Sequence, residues 1–213
     1  MSPSIFDFFE NYIRTQGLFS DEEIATIKSL AVPKWLKRRQ YLLRQGDVCR
    51  FHTFVCSGCL RSYRIDDNGS EHIFSFSPAN HWVSNRVSLV SGMPSDEFIE
   101  ALEDSAIIQL SAGSFKTLLK DIPNFNALNT KVITDDCGSS RDRIYMMISL
   151  QAEERYRQFI RCFPQLHQRL PVFMIASYLG VTRETLTRIR SNMTDRRSGN
   201  SRKKLRQKNR DCF

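Results

Sequence analysis

No apolar run in the 213-residue sequence approaches the roughly 20 residues that span a bilayer, so no membrane-crossing helix is expected. Met1–Glu10 lacks the basic start and long apolar stretch of a secretory signal. A cytoplasmic protein is therefore expected, with its six cysteines as thiols rather than disulfides. Histidine is scarce, four in all, and His72, His81 and His167 have no Ser, Cys or Asp companions at catalytic spacing. No enzyme is expected on that ground, and no internal repeat points to a solenoid.

Hydrophobic residues make up 41 % of the chain, enough for a real core, and the formal net charge is +8. The charge is uneven. Residues 1–122 hold 13 Lys and Arg against 15 Asp and Glu; residues 123–213 hold 18 against 8. The positive excess therefore sits entirely in the last two fifths. A near-neutral module joined to one that meets a polyanion has this signature; a basic tail on an ordinary enzyme is the simpler competitor.

Residues 5–31 read as helical, with Ser20 as an N-cap before the acidic first turn Asp21-Glu22-Glu23. From about Arg39 short apolar stretches alternate with turn signals. Thr53–Cys56, Leu60–Ile65, Ile73–Phe76, Phe98–Leu102 and Ala106–Leu110 read as strands, and Asp66-Asp67-Asn68-Gly69 is the strongest hairpin signal. Many short strands at this spacing predict an antiparallel barrel or jelly roll. Ser114–Lys120 reads as a short helix. A long helix is expected over residues 123–150, its partly apolar seam interrupted at Gly138-Ser139-Ser140, and another over Ala152–Cys162 before Pro164. The fold class is thus α+β, divided as 1–122 barrel with N-terminal helices, 123–150 long helix, 151–192 C-terminal helical domain and 193–213 basic tail of little periodicity.

Val172–Asn192 carries the most information. Ile175 and Leu179 lie one helical turn apart, with small Ala176 beside them. Gly180 falls where a tight turn needs a left-handed backbone. Val181 follows, Thr182 is placed to N-cap the next helix, and Leu186 and Ile189 form its apolar stripe. This is the pattern of a helix-turn-helix, whose second helix enters the DNA major groove. Arginine binds guanine O6 and N7 in a bidentate manner, and glutamate accepts from cytosine N4. Arg183, Glu184 and Arg188 have the chemistry and spacing to read bases; Thr182, Thr187 and Arg190 are better placed for the DNA backbone. A helical hairpin with a charged solvent face is the bland alternative.

Thr182-Arg183-Glu184-Thr185-Leu186-x-Arg188-Ile189 resembles the recognition helix of the Crp/Fnr superfamily. Leu43-x-x-Gly46-Asp47, Phe54-Val55-x-x-Gly58-x-Leu60-Arg61 and Ala101-Leu102-Glu103-Asp104 extend the resemblance, which covers roughly residues 20–192. It implies a cyclic-nucleotide-binding-like barrel, a dimerisation helix at 123–150 and a DNA-binding helix-turn-helix at 151–192. It further implies a homodimer on double-stranded DNA with a two-fold symmetric site, base reading by Arg183, Glu184 and Arg188, and RNA polymerase as a partner. An effector in the barrel would favour one dimer geometry.

The sequence departs from the family in three places. Members that bind cyclic AMP carry a Gly-Glu pair for the ribose and an Arg-Ser pair for the phosphate. Here the first region reads Pro78-Ala79-Asn80-His81-Trp82 and the second Ser95-Asp96. Asp96 would repel a phosphate, so cyclic nucleotide is not expected; Trp82, Asn85 and Ser95 are the candidate lining for another effector. Oxygen-sensing members hold an iron–sulfur cluster on N-terminal cysteines, but no cysteine precedes Cys49. Cys49-x2-His52-x3-Cys56-x2-Cys59 has metal-ligand residue types, yet strand alternation would send neighbours to opposite faces; no metal and no cofactor is expected. The β-hairpin wing that usually follows the recognition helix has no counterpart in the basic, polar Ser191–Phe213. A cupin-like small-molecule barrel or enzyme is the competing function, and it would need a His/Glu metal set that His52, His72 and His81 do not supply.

Overall fold

The computed structural model describes residues 4–193. The chain divides into two compact units, Met1–Ser140 and Arg141–Phe213. The first opens with α1 (Ile5–Gln16) and α2 (Asp21–Leu30). Each starts on a capping box, Ser4 with Asp7 and Ser20 with Glu23, in which side chain and backbone satisfy one another's free groups.

Eight strands follow: β1 (Val32–Leu36), β2 (Tyr41–Leu43), β3 (Phe51–Ser57), β4 (Cys59–Ile65), β5 (Glu71–Pro78), β6 (His81–Val83), β7 (Phe98–Ala101) and β8 (Ser105–Ser111). They form two four-stranded antiparallel sheets, ordered β1-β8-β3-β6 and β2-β7-β4-β5. The β4–β5 hairpin turns where the Asp-Asp-Asn-Gly signal lies. Asp66 Oδ1 accepts the N–H groups of Asn68 and Ser70, both at 2.9 Å. Helix α3 (Arg86–Ser91) separates β6 from β7, and α4 (Ala112–Asp121) leads into α5 (Pro123–Ser149).

Strand alternation builds two cores on the two faces of the first sheet. Val55, Val83 and Ile107 join Leu36, Leu43, Leu60 and Ile99 inside the barrel. Phe54, Cys56, Ile108 and Leu110 face outward against Phe9, Ile13, Ile27, Phe115, Leu118, Phe125 and Leu128 of the helices. Residues 53–56 are therefore all buried, and each large apolar side chain so enclosed contributes roughly 1.5–3 kcal/mol.

Gly138-Ser139-Ser140 interrupts the apolar seam but not the helix, and α5 runs unbroken for 27 residues. A single glycine costs only about 1 kcal/mol in a helix interior. Ser139 also directs its hydroxyl back to the Asp135 carbonyl rather than away from the helix. The division between the two units falls inside this helix.

The second unit contains α6 (Ala152–Cys162), α7 (Leu166–Arg169), α8 (Val172–Leu179) and a further helix over residues 183–193, here α9. The basic segment expected at 193–213 lies, from residue 194 on, outside the described residues.

Candidate nucleic-acid interface

Helix α8 ends in a turn set by its own backbone. Gly180 adopts φ 63°, ψ 40°, the left-handed region that glycine enters without a side-chain penalty. The Val181 N–H donates to the Ala176 carbonyl and the Gly180 N–H to the Ser177 carbonyl, both at 3.1 Å. This is the paired bonding of a Schellman motif. The next two carbonyls are taken by arginines of the same unit. Arg155 Nη1 donates to the Leu179 carbonyl at 2.9 Å, and its Nε to the Leu150 carbonyl at 3.0 Å. Arg143 Nη2 donates to the Tyr178 carbonyl at 3.1 Å, with its guanidinium 4.3 Å from the centre of the Tyr178 ring. Cations at a helix C-terminus complement its partial negative charge. Arg155, in the first turn of α6, thus helps fix the turn.

Thr182 opens α9 as its N-cap: its Oγ1 accepts the Thr185 N–H at 3.2 Å. Leu186 and Ile189 are buried, as are Ile175, Ala176 and Leu179 of α8 and Tyr156 and Phe159 of α6. These spacings leave the other side of α9 to solvent. Thr182, Arg183, Glu184, Thr187 and Arg188 are exposed, and Arg190 is half-buried. Among the described residues no ion pair or hydrogen bond engages the Arg183, Glu184 or Arg188 side chains. Glu184 and Arg188 stand four residues apart, the spacing at which Arg157 pairs with Glu153 on α6 at 2.7 Å, yet they do not pair. The Thr187 hydroxyl is committed to the Arg183 carbonyl at 2.9 Å, and that of Thr182 meets Thr185 Oγ1 at 3.1 Å. A phosphate contact from either would require its hydroxyl to turn. Residues 141–193 hold nine arginines and no lysine, against four carboxylates.

Trp82, Asn85 and Ser95 do not gather round one cavity. Trp82 points out of the barrel, its ring 5.3 Å from Phe54 and 6.0 Å from Phe9, because its neighbour Val83 takes the inward position. Asn85 and Ser95 are buried in a closed polar network. Asn85 Nδ2 donates to Ser95 Oγ at 3.0 Å, its Oδ1 accepts the Ser88 N–H at 2.8 Å, and Ser95 Oγ donates to the Glu97 carbonyl at 2.9 Å. Asp96 pairs with Arg64 at 2.6 Å. Burial pushes the Glu97 carboxyl up to about 7, with Asp96 nearby adding to the effect. The segment that would receive a phosphate is bonded to itself and carries two carboxylates.

The run from Cys49 to Cys59 does not converge either. Cys49 belongs to the barrel interior and Cys56 to the opposite core. His52 stacks on Phe115 at 3.5 Å, and burial, helped by Arg86, lowers it to about 4. Burial pushes the Cys56 thiol up to about 12, so it stays protonated.

A two-sheet barrel with flanking helices and a separate helix-turn-helix defines the class of molecule, and sequence comparison agrees. Residues 33–121 match the cyclic nucleotide-binding domain family. The chain is similar to the fumarate and nitrate reduction regulatory proteins of Yersinia pestis (27 % identity over 167 residues, 73 % of this chain and 66 % of that one) and Escherichia coli K12 (28 %, with the same coverage). It therefore spans just under two thirds of their length. FixK2 of Bradyrhizobium japonicum shares the fold at TM-score 0.66, with 18 % identity, 78 % of this chain and 85 % of that one. A CooA variant from Carboxydothermus hydrogenoformans does so at 0.67, with 18 % identity, 86 % and 83 %. On sequence and fold together, the chain is similar to regulators of the Crp/Fnr type.

Proposed function

We propose that this protein is a sequence-specific, DNA-binding transcription regulator that acts in the cytoplasm as a homodimer. The observation that carries the reading is the exposed face of α9. Arg183, Glu184 and Arg188 stand there without partners among the described residues, on a helix whose entry angle is fixed by the Gly180 turn. Unpaired arginines lose no existing bond on meeting guanine, and helix N-terminal residues are those that reach base edges in this docking mode.

Dimerisation is assigned to α5. Ile133, Ile144 and Ile148 are exposed on it, at spacings of 11 and 4 residues that place them along one seam. Two copies joined there would present two recognition helices about one DNA turn, roughly 34 Å, apart. The closed network at Asn85 and Ser95 and the carboxylates of Asp96 and Glu97 argue that cyclic nucleotides are not the effector. RNA polymerase is the partner through which such a regulator would act.

The test is selection of bound sequences from random duplex DNA at moderate salt, with sedimentation of the same sample. The expected result is a two-fold symmetric consensus bound by a dimer. Recovery of no consensus, or of a monomer on an asymmetric site, would overturn the reading.

A further inference from the structure

The Gly180 turn is packed by a thioether. A Cβ placed on Gly180 would stand 2.5 Å from Met147 Cε and 3.9 Å from its Sδ, so the methionine tip lies directly on the bare backbone of the turn. The same sulfur is 3.8 Å from Arg155 Nη1, and that nitrogen donates to the Leu179 carbonyl at 2.9 Å. Nη1 therefore has two acceptors within reach. The carbonyl is the strong one, because a thioether sulfur accepts only weakly. Met147 is half-buried, whereas its neighbour Met146 is buried. Its sulfur is thus open to a small reagent, while its methyl already touches the turn. All of these groups lie in the second unit.

We propose that Met147 is an oxidative modification site, converted by a hydroperoxide to the sulfoxide, and that the new oxygen draws Arg155 off the end of α8. With hydrogen peroxide, a sulfur lone pair attacks one peroxide oxygen. The S–O bond forms as the O–O bond breaks, the sulfur loses two electrons to the peroxide, and hydroxide leaves. Hydroxide then takes the proton of the transferred hydroxyl, giving one sulfoxide and one water. The product carries a strong acceptor where a weak one stood, and it adds polar bulk against a glycine turn. Bonds from a charged donor are about twice as strong as neutral ones, and the sulfoxide now competes with the Leu179 carbonyl for that donor. Losing Nη1 leaves a free carbonyl at the C-terminus of α8, where the cation also met the helix dipole. Enzymatic reduction of the sulfoxide restores the thioether, so the change is reversible. The loosened turn is a property of this unit alone; a loss of DNA affinity following from it rests on the regulator reading.

The experiment treats the full chain with hydrogen peroxide, locates added oxygen by peptide mass spectrometry and follows amide exchange in α8 and α9. The same is done with Met147→Leu, which keeps the apolar fill without the sulfur, and with Met93→Leu, which removes an exposed methionine of the first unit. DNA affinity before and after oxidation is measured in parallel. Oxygen is expected on Met147, with exchange in α8 and α9 at least about tenfold faster and affinity for the selected site at least about fivefold lower. Methionine sulfoxide reductases are expected to restore both. Met93→Leu is expected to respond as the wild type does, and Met147→Leu to show no acceleration. Oxidation of Met93 with Met147 untouched overturns the site, as does unchanged exchange in a chain oxidised at Met147, or equal acceleration in Met147→Leu. Faster exchange in a chain that binds no DNA before treatment supports the site and overturns the regulator reading alone. Faster exchange with unchanged DNA affinity supports the site and overturns its effect on binding.

Discussion

Arg183 and Arg188 differ from Arg143, Arg155 and Arg157 in what they already hold. Arg143, Arg155 and Arg157 have carbonyl or carboxylate partners at 2.7–3.1 Å, whereas Arg183 and Arg188 have none among the described residues. Arg183→Ala and Arg188→Ala are each expected to weaken binding to the selected site by about 1–3 kcal/mol and to relax one base position. Fluorescence anisotropy on wild-type and point-substituted duplexes checks this, and wild-type affinity in both variants would remove the base-reading assignment. Glu97 behaves differently because it is buried. Its pKa rises from the ordinary 4.5 to about 7 on folding, so the native state binds the proton more tightly than the unfolded chain does. That contribution is fully present below about pH 4.5, declines as pH rises toward 7 and is lost above it. Glu97→Gln should therefore stabilise the protein at pH 8 and flatten its stability between pH 5 and 7, as read by urea unfolding at both ends. An unchanged pH slope would contradict the assignment. At this scale the sequence revealed the exposed face of α9, because 3.6-residue spacing separates buried Leu186 and Ile189 from exposed Arg183 and Arg188. It did not reveal the effector residues. Trp82 and Asn85 look adjacent in sequence, but Trp82 packs among rings outside the barrel, while Asn85 bonds Ser88 and Ser95 in the network beside α3.

Among the elements, the helix-turn-helix was legible because every part of it is local: a left-handed glycine, a threonine cap and apolar residues one turn apart. The Asp66–Gly69 hairpin was legible for the same reason. Other elements carry no such signal, β1, β6 and α3 among them. β1 contains Pro33, which lacks an N–H, and lies at an edge, pairing with β8 alone. β6 has only three residues. α3 has six, rich in serine and β-branched valine, and is held by the Asn85 cap rather than by propensity. The Arg155 bonds to Leu150 and Leu179 join segments 24 residues apart, a separation no local pattern encodes. Arg155→Ala is expected to lower the local stability of α8 and α9 by about 2 kcal/mol, since hydrogen bonds from a charged donor contribute roughly 1.5–3 kcal/mol. Amide hydrogen exchange in the two helices should then run about 30-fold faster, a factor of ten for each 1.4 kcal/mol. Arg155→Lys is expected to recover only part of this, because an ammonium cannot span both carbonyls as a guanidinium fork does. Exchange unaltered in Arg155→Ala would show that the turn holds without it.

For the whole molecule, the charge asymmetry sets how binding responds to salt. Residues 194–213 contain eight Lys and Arg against two Asp. Each phosphate neutralised adds about 0.9 to the slope of log affinity against log salt. Ending the chain at residue 193 is expected to reduce the magnitude of that slope by at least about 1 while leaving the preferred sequence unchanged. Binding titrations of both chain lengths between 50 and 200 mM salt check this, and an equal slope would mean those cations do not meet DNA.

The Gly180 turn and the arginines that hold it lie apart from the side chains that would face the bases. Arg143, Met147 and Arg155 surround the turn, while Arg183, Glu184 and Arg188 project from α9 without supporting it. Scaffold and alphabet are therefore separable. On the proposed reading, residues 183, 184 and 188 can be rewritten for a different operator without unfolding the element that carries them, so new target sites would be open to this chain at little cost in stability.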